Sequence, residues 1–430
     1  MIKQIFKQIW VERRINAWLL LELTGMFICL LVMTDFFLIK WSNYNEPTGF
    51  DIDNTYLLKM KMMEEIAPDY IDPALITETG TEELQRLISQ IRQYPDIEAA
   101  SVSYVALPYS NSGFFDLLFT DTAVTVEKKD IHVRGRRVTP EYFDVFRVRS
   151  YNGEPIRVIP DGTRQIVLSK EASVELFSSV TNAVGKRLFG AEGNEFVKYA
   201  ESRTARITAV CTDIKVHEFV RYSHCFFEVL DPVSFNAYVS EAGASRADIC
   251  VRVRPGSAQH FEEFFEVEMG ERLRVNNMYV SSITSFNIVR DDMVGKIIRE
   301  GIQTMLYIVL FALITVSLGI FGAFWLRSRQ RSCEIGIRMA MGAGKSVIKK
   351  EMIAESLCLM IIAMIPSLIV YVNLLYMDML NTVLLEFTFG RVLIVMFLSL
   401  FVMSAVILTS TFWPANRAAS IQPVDALRDE

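Results

Sequence analysis

Residues 327–351 read RSRQRSCEIGIRMAMGAGKSVIKKE, a basic segment with three glycines that lies between two long apolar segments. It contains seven Lys or Arg residues and two Glu residues. Loops on the cytoplasmic side of a membrane are enriched in Lys and Arg. The segment therefore predicts a cytoplasmic loop, and this placement orients the rest of the chain.

Apolar runs on both sides of the loop predict transmembrane helices, because about 20 mostly apolar residues are needed to cross the hydrocarbon core. The predicted spans are 18–39, 303–326, 352–376 and 392–413, with a short external loop at 377–391. Basic residues precede the first span and follow the last one, at Lys3, Lys7, Arg13, Arg14, Arg417 and Arg428. Both termini are therefore expected in the cytoplasm.

The first span resembles a secretory signal in its position and charge. It is longer than the apolar core of a signal peptide, contains Glu22 and Asp35, and lacks a small-residue cleavage site. We therefore expect a retained anchor. Glu22 and Asp35 each lie about one turn from an end of the span, where they either reach the interface or contact another transmembrane helix.

Residues 40–300 are expected to form a large extracytoplasmic domain, since about 250 residues suffice for an independent core. The net charge of −6 and the apolar content of 51% average this domain with the membrane part. Neither value indicates a partner. No basic, aromatic-containing patch indicates a nucleic-acid partner.

Cysteine and histidine residues in this domain predict neither a disulfide scaffold nor a metal site. Cys211, Cys225 and Cys250 are irregularly spaced and allow at most one disulfide. Cys211, His217, His224 and Cys225 match no standard zinc spacing. We therefore expect no metal and no cofactor, and the redox state of the three cysteines stays open.

Strand and helix patterns alternate through the domain. Thr79 and Glu82 form a capping-box pattern before an amphipathic helix. Thr139 and Ser169 are predicted N-caps of two short helices. Predicted strands are 97–107, 131–138, 166–168, 205–214, 225–230, 249–253 and 278–283, with another helix at 258–268. The fold class is thus an integral membrane protein with four transmembrane α-helices and a large α+β domain, in which a subdomain is inserted near 150–245.

Several segments resemble the MacB/FtsX-like permeases of ABC transporters. EIGIRMAMGAGKSVIKKEMIAESL, residues 334–357, is similar to the family signature between the second and third transmembrane helices. PANRAASIQPVDALRDE, residues 414–430, is similar to the family's C-terminal motif. Segments 133–148, 166–177 and 205–214 are similar to its periplasmic core. Cys333 is a departure, since many members have a basic residue there.

The resemblance implies a porter-like periplasmic core and a multi-pass protein of the bacterial inner membrane. It also implies a non-catalytic subunit that transmits the ATP-driven motion of a cytoplasmic ABC ATPase to the periplasmic domain. Only about 17 residues precede the first span, so we expect the ATPase on a separate chain. Further implied partners are a second permease chain, in a homodimer or heterodimer, membrane lipids, and a periplasmic adaptor with an outer-membrane channel.

The resemblance implies a coupling helix within the basic loop, predicted at residues 332–341. Ile335, Ile337 and Met339 would enter a groove of the ATPase, and Glu334, Arg338 and Lys345 would orient the helix by charge. The alternative is a solvated basic loop that only sets the topology. Gly344-Lys345-Ser346 is no phosphate-binding loop, because Met339 stands where the pattern needs Gly and no strand precedes it.

Three further patterns concern the helices. Thr315, Gly319 and Ala323 form a small-residue ridge, suited to packing within the chain or between two chains. Residues 1–17 predict an amphipathic elbow helix at the inner interface, with an ordinary charged flank as the alternative. Residues 288–300 continue helical spacing into the second span and predict a rigid stalk.

The favoured function is therefore export or extrusion of a periplasmic substrate by mechanotransmission. The alternatives are an FtsX-like regulator of a periplasmic cell-wall hydrolase and a sensory ABC module. No nucleophile elbow, metal motif or triad indicates an enzyme. The sequence does not identify the substrate or the regulated partner.

Overall fold

The computed structural model describes residues 13–120, 130–191, 204–257, 261–263, 265, 273–380 and 385–420. The chain divides into two compact units, one of residues 1–43 with 297–430 and the other of residues 44–296. The elbow helix at 1–17, the helix at 258–268 and the C-terminal motif at 414–430 lie wholly or largely outside the described residues.

The first unit is helical. Its helices are α1 (Arg13–Tyr44), α7 (Thr304–Gln330), α8 (Ser332–Ala340), α9 (Lys345–Tyr376) and α10 (Phe389–Ala418). Among the described residues, four helices are long and apolar enough to cross a membrane: Ala17–Tyr44, Phe286–Leu326, Lys345–Tyr376 and Phe389–Ala418. The prediction of four apolar spans is confirmed, and each helix extends beyond the span predicted for it.

The second unit combines strands and helices, as the α+β prediction required. Its strands are β1 (Thr55–Met62), β2 (Ile97–Tyr104), β3 (Phe114–Phe119), β4 (Asp130–Val138), β5 (Gln165–Ser169), β6 (Arg187–Ala191), β7 (Thr204–Cys211), β8 (Cys225–Val229), β9 (Asp248–Val253), β10 (Arg274–Val275) and β11 (Met278–Ser285). Its helices are α2 (Gly80–Arg92), α3 (Tyr142–Val145), α4 (Lys170–Phe177), α5 (Pro232–Ala242) and α6 (Phe286–Ile297). A π-helical turn, Ile298–Gln303, follows α6 and precedes α7.

The eleven strands that the described part of the chain contains belong to one sheet, in the order β10-β11-β1-β9-β2-β4-β3-β6-β7-β5-β8. Strand β8 also pairs in parallel with β4, so that β4, β3, β6, β7, β5 and β8 close into a barrel. Closure removes free strand edges, which are otherwise templates for unwanted pairing. Strands β5 to β8 of the barrel lie within the predicted insertion near 150–245, whereas β3 and β4 precede it, and the inserted subdomain remains a prediction.

The barrel interior is filled by apolar side chains of alternate strand positions, including Ile131, Val133, Leu168 and Phe226. Gly135 is required there, because a Cβ atom at this position would overlap the rings of Phe114 and Phe226. A larger side chain in such a packed interior forces neighbouring groups to shift.

The predicted N-caps had different outcomes. Thr79 and Glu82 form a reciprocal capping box at the start of α2, as predicted. Thr139 is not an N-cap, because its hydroxyl accepts from the amide of Val102 on β2. The Ser169 side chain makes no cap hydrogen bond, and its hydroxyl accepts from the amide of Cys225 instead. Both hydroxyls accept hydrogen bonds from strands that are distant in sequence. Local sequence patterns do not predict such long-range contacts.

Asp35 is buried among the helices and does not reach an interface. It pairs with Arg391 of α10 and accepts a hydrogen bond from Tyr371 of α9. The alternative of a polar contact with other transmembrane helices is therefore correct for Asp35. Glu22 lies against Gly319 of α7, where a Cβ atom would overlap its carboxylate.

Candidate functional site

The basic loop folds into a helical hairpin. Helix α8 begins two residues after α7 ends, and its last turn is closed by the Met341 amide, which donates to the carbonyl of Ile337. Gly342 follows with φ of +98°, a conformation that glycine adopts without strain. Gly344 is then the extended N-cap of α9. The predicted helix at 332–341 is confirmed, with its end at Ala340.

Two ion pairs, made by Arg338 and Arg331, join α8 and the residue before it to α9. One guanidinium nitrogen of Arg338 lies 3.0 Å from both carboxylate oxygens of Glu351, and Arg338 also pairs with Glu334 at 2.5 Å. Arg331 lies 3.1 Å from Glu355, whose side chain is 5% exposed. Glu351 and Glu355 are one helical turn apart, so α9 presents both carboxylates on one face.

These pairs differ in energetic weight. The Arg338 pairs are partly exposed and contribute roughly 0–1 kcal/mol each. Removing one partner from a buried pair such as Arg331–Glu355 costs more, about 3–5 kcal/mol, because a buried charge is left without its counter-ion. Partial burial lowers the pKa of Arg338, but the hydrogen bonds and negative charges of Glu351 and Glu334 together outweigh this and raise it overall. The ion pairs therefore fix α8 in position against α9.

Ile335 and Met339, expected to dock on a partner, face the interior of this unit. Ile335 is 8% exposed and packs with Ile348, Ala418 and Ala419, and Met339 packs against the same cluster. This packing also explains the paired alanines of the PANRAAS segment, because small side chains let the end of α10 approach the hairpin closely. These two side chains are thus largely occupied within the chain, and their docking on a partner remains a prediction.

The apolar side chains that the hairpin exposes are Ile337, Met341 and Val347, with exposed fractions of 46%, 77% and 53%. Lys345, two residues before Val347 in the sequence, is exposed as well. Of the six predicted coupling residues, Ile337 and Lys345 are thus on the outer surface, and Glu334 and Arg338 serve as ion-pair partners within the chain. Sequence reasoning missed Met341 and Val347. Ile335/Met339 and Ile337/Met341 have the same i, i+4 spacing, so the sequence does not show which stripe is buried.

The ridge of Thr315, Gly319 and Ala323 is largely used within the chain. Gly319 lies against Glu22 of α1, and Ala323 packs against the core of the helical unit. Thr315 is exposed, and its hydroxyl donates to the carbonyl of Phe311 one turn earlier. A contact between two chains through this ridge remains a prediction.

The described cysteine and histidine residues of the second unit do not converge on a common centre. The thiols of Cys211 and Cys225 are free and fully buried, which raises the pKa of both. His224 pairs with Glu175, and the His217 ring accepts from the amide of Phe219. Within the part of the chain that the structure describes, no group of three His, Cys, Asp or Glu residues could hold a metal ion.

The hairpin and the three helices around it fall in a region with a known family match. Residues 306–423 match the model of the FtsX-like permease C-terminal domain. The chain contains an FtsX-like permease domain. This match covers α7 to α10, and it supports the resemblance to MacB/FtsX-like ABC permeases that the motifs indicated.

Curated relatives include two proteins named macrolide export ATP-binding/permease protein MacB. The chain is 28% identical over 156 residues to the one from Mannheimia succiniciproducens, covering 34% of this chain and 23% of that protein. It is 29% identical over 160 residues to the one from Bradyrhizobium diazoefficiens, covering 35% of this chain and 23% of that protein. The chain therefore spans less than a quarter of these relatives.

Among solved structures, the chain is similar over part of its length to the extracellular domain of the noncanonic ABC-type transporter YknZ from Gram-positive bacteria. The sequence identity is 15%, the match covers 53% of this chain and all of that domain, and the TM-score is 0.29.

Proposed function

We propose that this FtsX-like chain is the permease subunit of an ABC transporter that converts ATP-driven motion into movement of an extracytoplasmic domain. A separate cytoplasmic ATPase binds the hairpin of each of two permease chains. ATP binding draws the hairpins together, and the connected helices displace the domain of residues 44–296. The work extrudes a periplasmic substrate, without passage through the bilayer.

The hairpin is the single observation on which this proposal rests. Ile337, Met341 and Val347 are exposed apolar side chains of the hairpin, and the ion pairs of Arg338 and Arg331 hold its helices together. A docking element that transmits force needs both an apolar contact and a rigid backing, since a flexible loop would absorb the displacement. The exposed Lys345 cation, two residues before Val347 in the sequence, suits an acidic groove.

Two further features support the direction of transmission. The basic hairpin favours the cytoplasmic side by its charge. The chain is helical from Phe286 to Gln330, through α6, the π-helical turn and α7, so the second apolar helix has a helical extension beyond the length that a bilayer needs. This extension corresponds to the predicted stalk.

A matched pair of methionines tests the docking surface. Met341 follows α8 and is 77% exposed, and Met377 follows α9 at its other end and is 68% exposed. We expect Met341→Asp to abolish co-purification of the ATP-binding partner from native membranes, because a charge would enter an apolar contact. Met377→Asp should leave co-purification unchanged. Equal retention of the ATPase by both variants would overturn the proposal.

The same experiment separates the alternatives. Export predicts an adaptor or outer channel among the proteins that co-purify with the wild-type chain. A cell-wall hydrolase or a sensor kinase in their place would assign the same motion to regulation.

A further inference from the structure

One loop of the second unit contacts both of the segments that lead toward the apolar helices. This clasp loop, residues 213–224, lies between β7 and β8. On one side it meets the exit segment, residues 44–50, which follows α1. On the other side it meets α6, which precedes the π-helical turn and α7. The clasp loop, the exit segment and residues 286–296 of α6 belong to the same compact unit.

The exit segment is fixed to the clasp loop by Lys215 and Tyr222. The Lys215 side chain is fully buried, and its Nζ lies 2.8 Å from a carboxylate oxygen of Glu46. The Lys215 amide donates to the carbonyl of Thr48 at 2.9 Å. The Tyr222 hydroxyl donates to the carbonyl of Pro47 at 3.1 Å, and its ring lies 4.8 Å from the Lys215 Nζ. Consecutive residues of the exit segment are thus held by one short stretch of the loop.

Close backbone packing adds to these contacts. Gly49 has φ of +86°, and a Cβ atom there would overlap the carbonyl of Asp213. Only glycine satisfies both conditions without strain. At the start of the exit segment the ring of Tyr44 stacks on that of Phe219, with centroids 5.5 Å apart.

Helix α6 is fixed to the same loop through Glu218, which is 8% exposed. One carboxylate oxygen of Glu218 accepts from Nε of Arg290 on α6 at 2.7 Å and from the hydroxyl of Tyr109 at 2.8 Å. The Tyr109 ring contacts Phe50 of the exit segment edge to face, with centroids 5.5 Å apart. A chain of contacts therefore runs from Arg290 through Glu218 and Tyr109 back to the exit segment.

We propose that the clasp loop couples the exit segment to α6, so that loosening one of these segments loosens the other. Glu218 is the central residue, because it bonds to α6 and to Tyr109 through the same oxygen. A buried charge-assisted bond is among the stronger polar contacts in a protein, and its loss leaves a buried carboxylate without its cation. In an exported domain, this coupling means that the exit segment and α6, which connect the domain to the apolar helices, loosen together. The inference concerns the chain alone and does not depend on the proposed ATPase.

The test is hydrogen exchange of the full chain in lipid nanodiscs, with no ATPase present. Arg290→Met removes the cation of α6, and Arg290 itself makes no described contact with residues 44–50. We expect exchange of the Lys215 amide, which the exit segment protects, to rise about tenfold or more. Lys296→Met is the matched control, because Lys296 lies on the same helix and forms an ion pair with exposed Asp292, one turn earlier. It should leave this exchange unchanged.

Two outcomes would overturn the inference. In the first, the amides of α6 exchange faster in Arg290→Met than in the wild type, but the exchange of Lys215 and residues 44–50 is unchanged. The second is an equal rise in Lys296→Met, which would show that loss of any positive charge on α6 has this effect. Faster amide exchange of strand β9 would indicate global unfolding of the second unit. If Arg290→Met also exposes β9, the same comparison is made with Arg290→Lys, which keeps the charge but not the Nε bond.

Discussion

Arg391 and Asp35 form an ion pair in the interior of the helical unit, with Nη2 of Arg391 2.6 Å from Oδ2 of Asp35 and side chains only 1% and 2% exposed. The Tyr371 hydroxyl donates to Asp35 at 2.9 Å, and Arg391 also donates to the carbonyl of Leu380 at 3.1 Å. The pair joins α1, α9 and α10 to the residues between the last two helices. It satisfies two charges that would otherwise be costly in an apolar environment.

Breaking this pair should strongly destabilise the helical unit. We expect Asp35→Leu to lower its unfolding free energy by about 3–5 kcal/mol, because Arg391 would be left buried and unpaired. The double variant Asp35→Leu/Arg391→Met should recover most of the loss. Unfolding of the purified chain by SDS in mixed micelles measures both effects.

Ser399→Ala provides the control, since it removes a neutral hydrogen bond to Thr34 between the same two helices. We expect it to cost only about 1 kcal/mol. A double variant as unstable as Asp35→Leu would show that the charges do not act as a pair.

Asp248 should make the second unit more stable as the pH falls. Burial raises the pKa of Asp248 to about 6, and the nearby Lys59 only partly offsets this. The unfolded value is roughly 3.9, so the folded state binds the proton more tightly. Stability is therefore lost as the pH rises from about 4 to 6, and the full penalty at pH 7 is on the order of 2 kcal/mol.

Asp248→Asn should remove this penalty at pH 7 and give no advantage at pH 4. Urea unfolding can be followed by the reaction of buried Cys250 with dithiodipyridine, a reagent that works across this range. Asp144→Asn, at an exposed position, should retain the wild-type pH dependence. If Asp248→Asn does not change the pH dependence of the unfolding free energy, Asp248 is not the source of that dependence.

Ile335 and Met341 should behave differently when each is replaced by Asp. Ile335→Asp buries a charge against Ile348 and Ala418, so the hairpin itself should open, with protection of its amides reduced at least tenfold. Met341→Asp should leave that protection intact while it abolishes ATPase binding. Hydrogen exchange of the hairpin amides in the isolated chain distinguishes the Ile335→Asp variant from the Met341→Asp variant. Equal protection in both variants would contradict the assignment of Ile335 to the interior.

Topology can be tested with introduced cysteines. Tyr151→Cys and Ile159→Cys, at positions 42% and 83% exposed, should react with an impermeant thiol reagent added to cells with a permeabilised outer membrane. Met341→Cys should react only after the inner membrane is opened. The wild-type chain gives the background of its native thiols. Labelling of Met341→Cys in closed cells would reverse the proposed orientation.

The sequence predicted the features that depend on local composition or spacing. Apolar runs located the four helices, and the Thr79 capping box located the start of α2, because both signals are complete within a short segment. Thr139 and Ser169 have the same local pattern, but their hydroxyls bind Val102 and Cys225 on strands distant in sequence. Barrel closure through β4 and β8 is likewise a long-range pairing that no local signal contains.

The candidate site shows the same limit. The position of α8 followed from the sequence, but its buried face did not, because two apolar stripes have equal spacing on one short helix. Only the packing of Ile335 against Ala418, about 80 residues later, decides between them. The Glu351 and Glu355 carboxylates could have been noticed from their i, i+4 spacing, since like charges so placed repel unless cations lie nearby.

The central claim is that ATP binding by a partner moves the domain of residues 44–296. The most direct measurement is a pulsed electron spin resonance distance between spin labels at Ile159→Cys of two permease chains, in the reconstituted complex with and without ATP. The account predicts that ATP shifts the distance distribution in the complex and that Met341→Asp abolishes this shift. A distribution that ATP does not change, in a complex that binds and hydrolyses ATP, would contradict it.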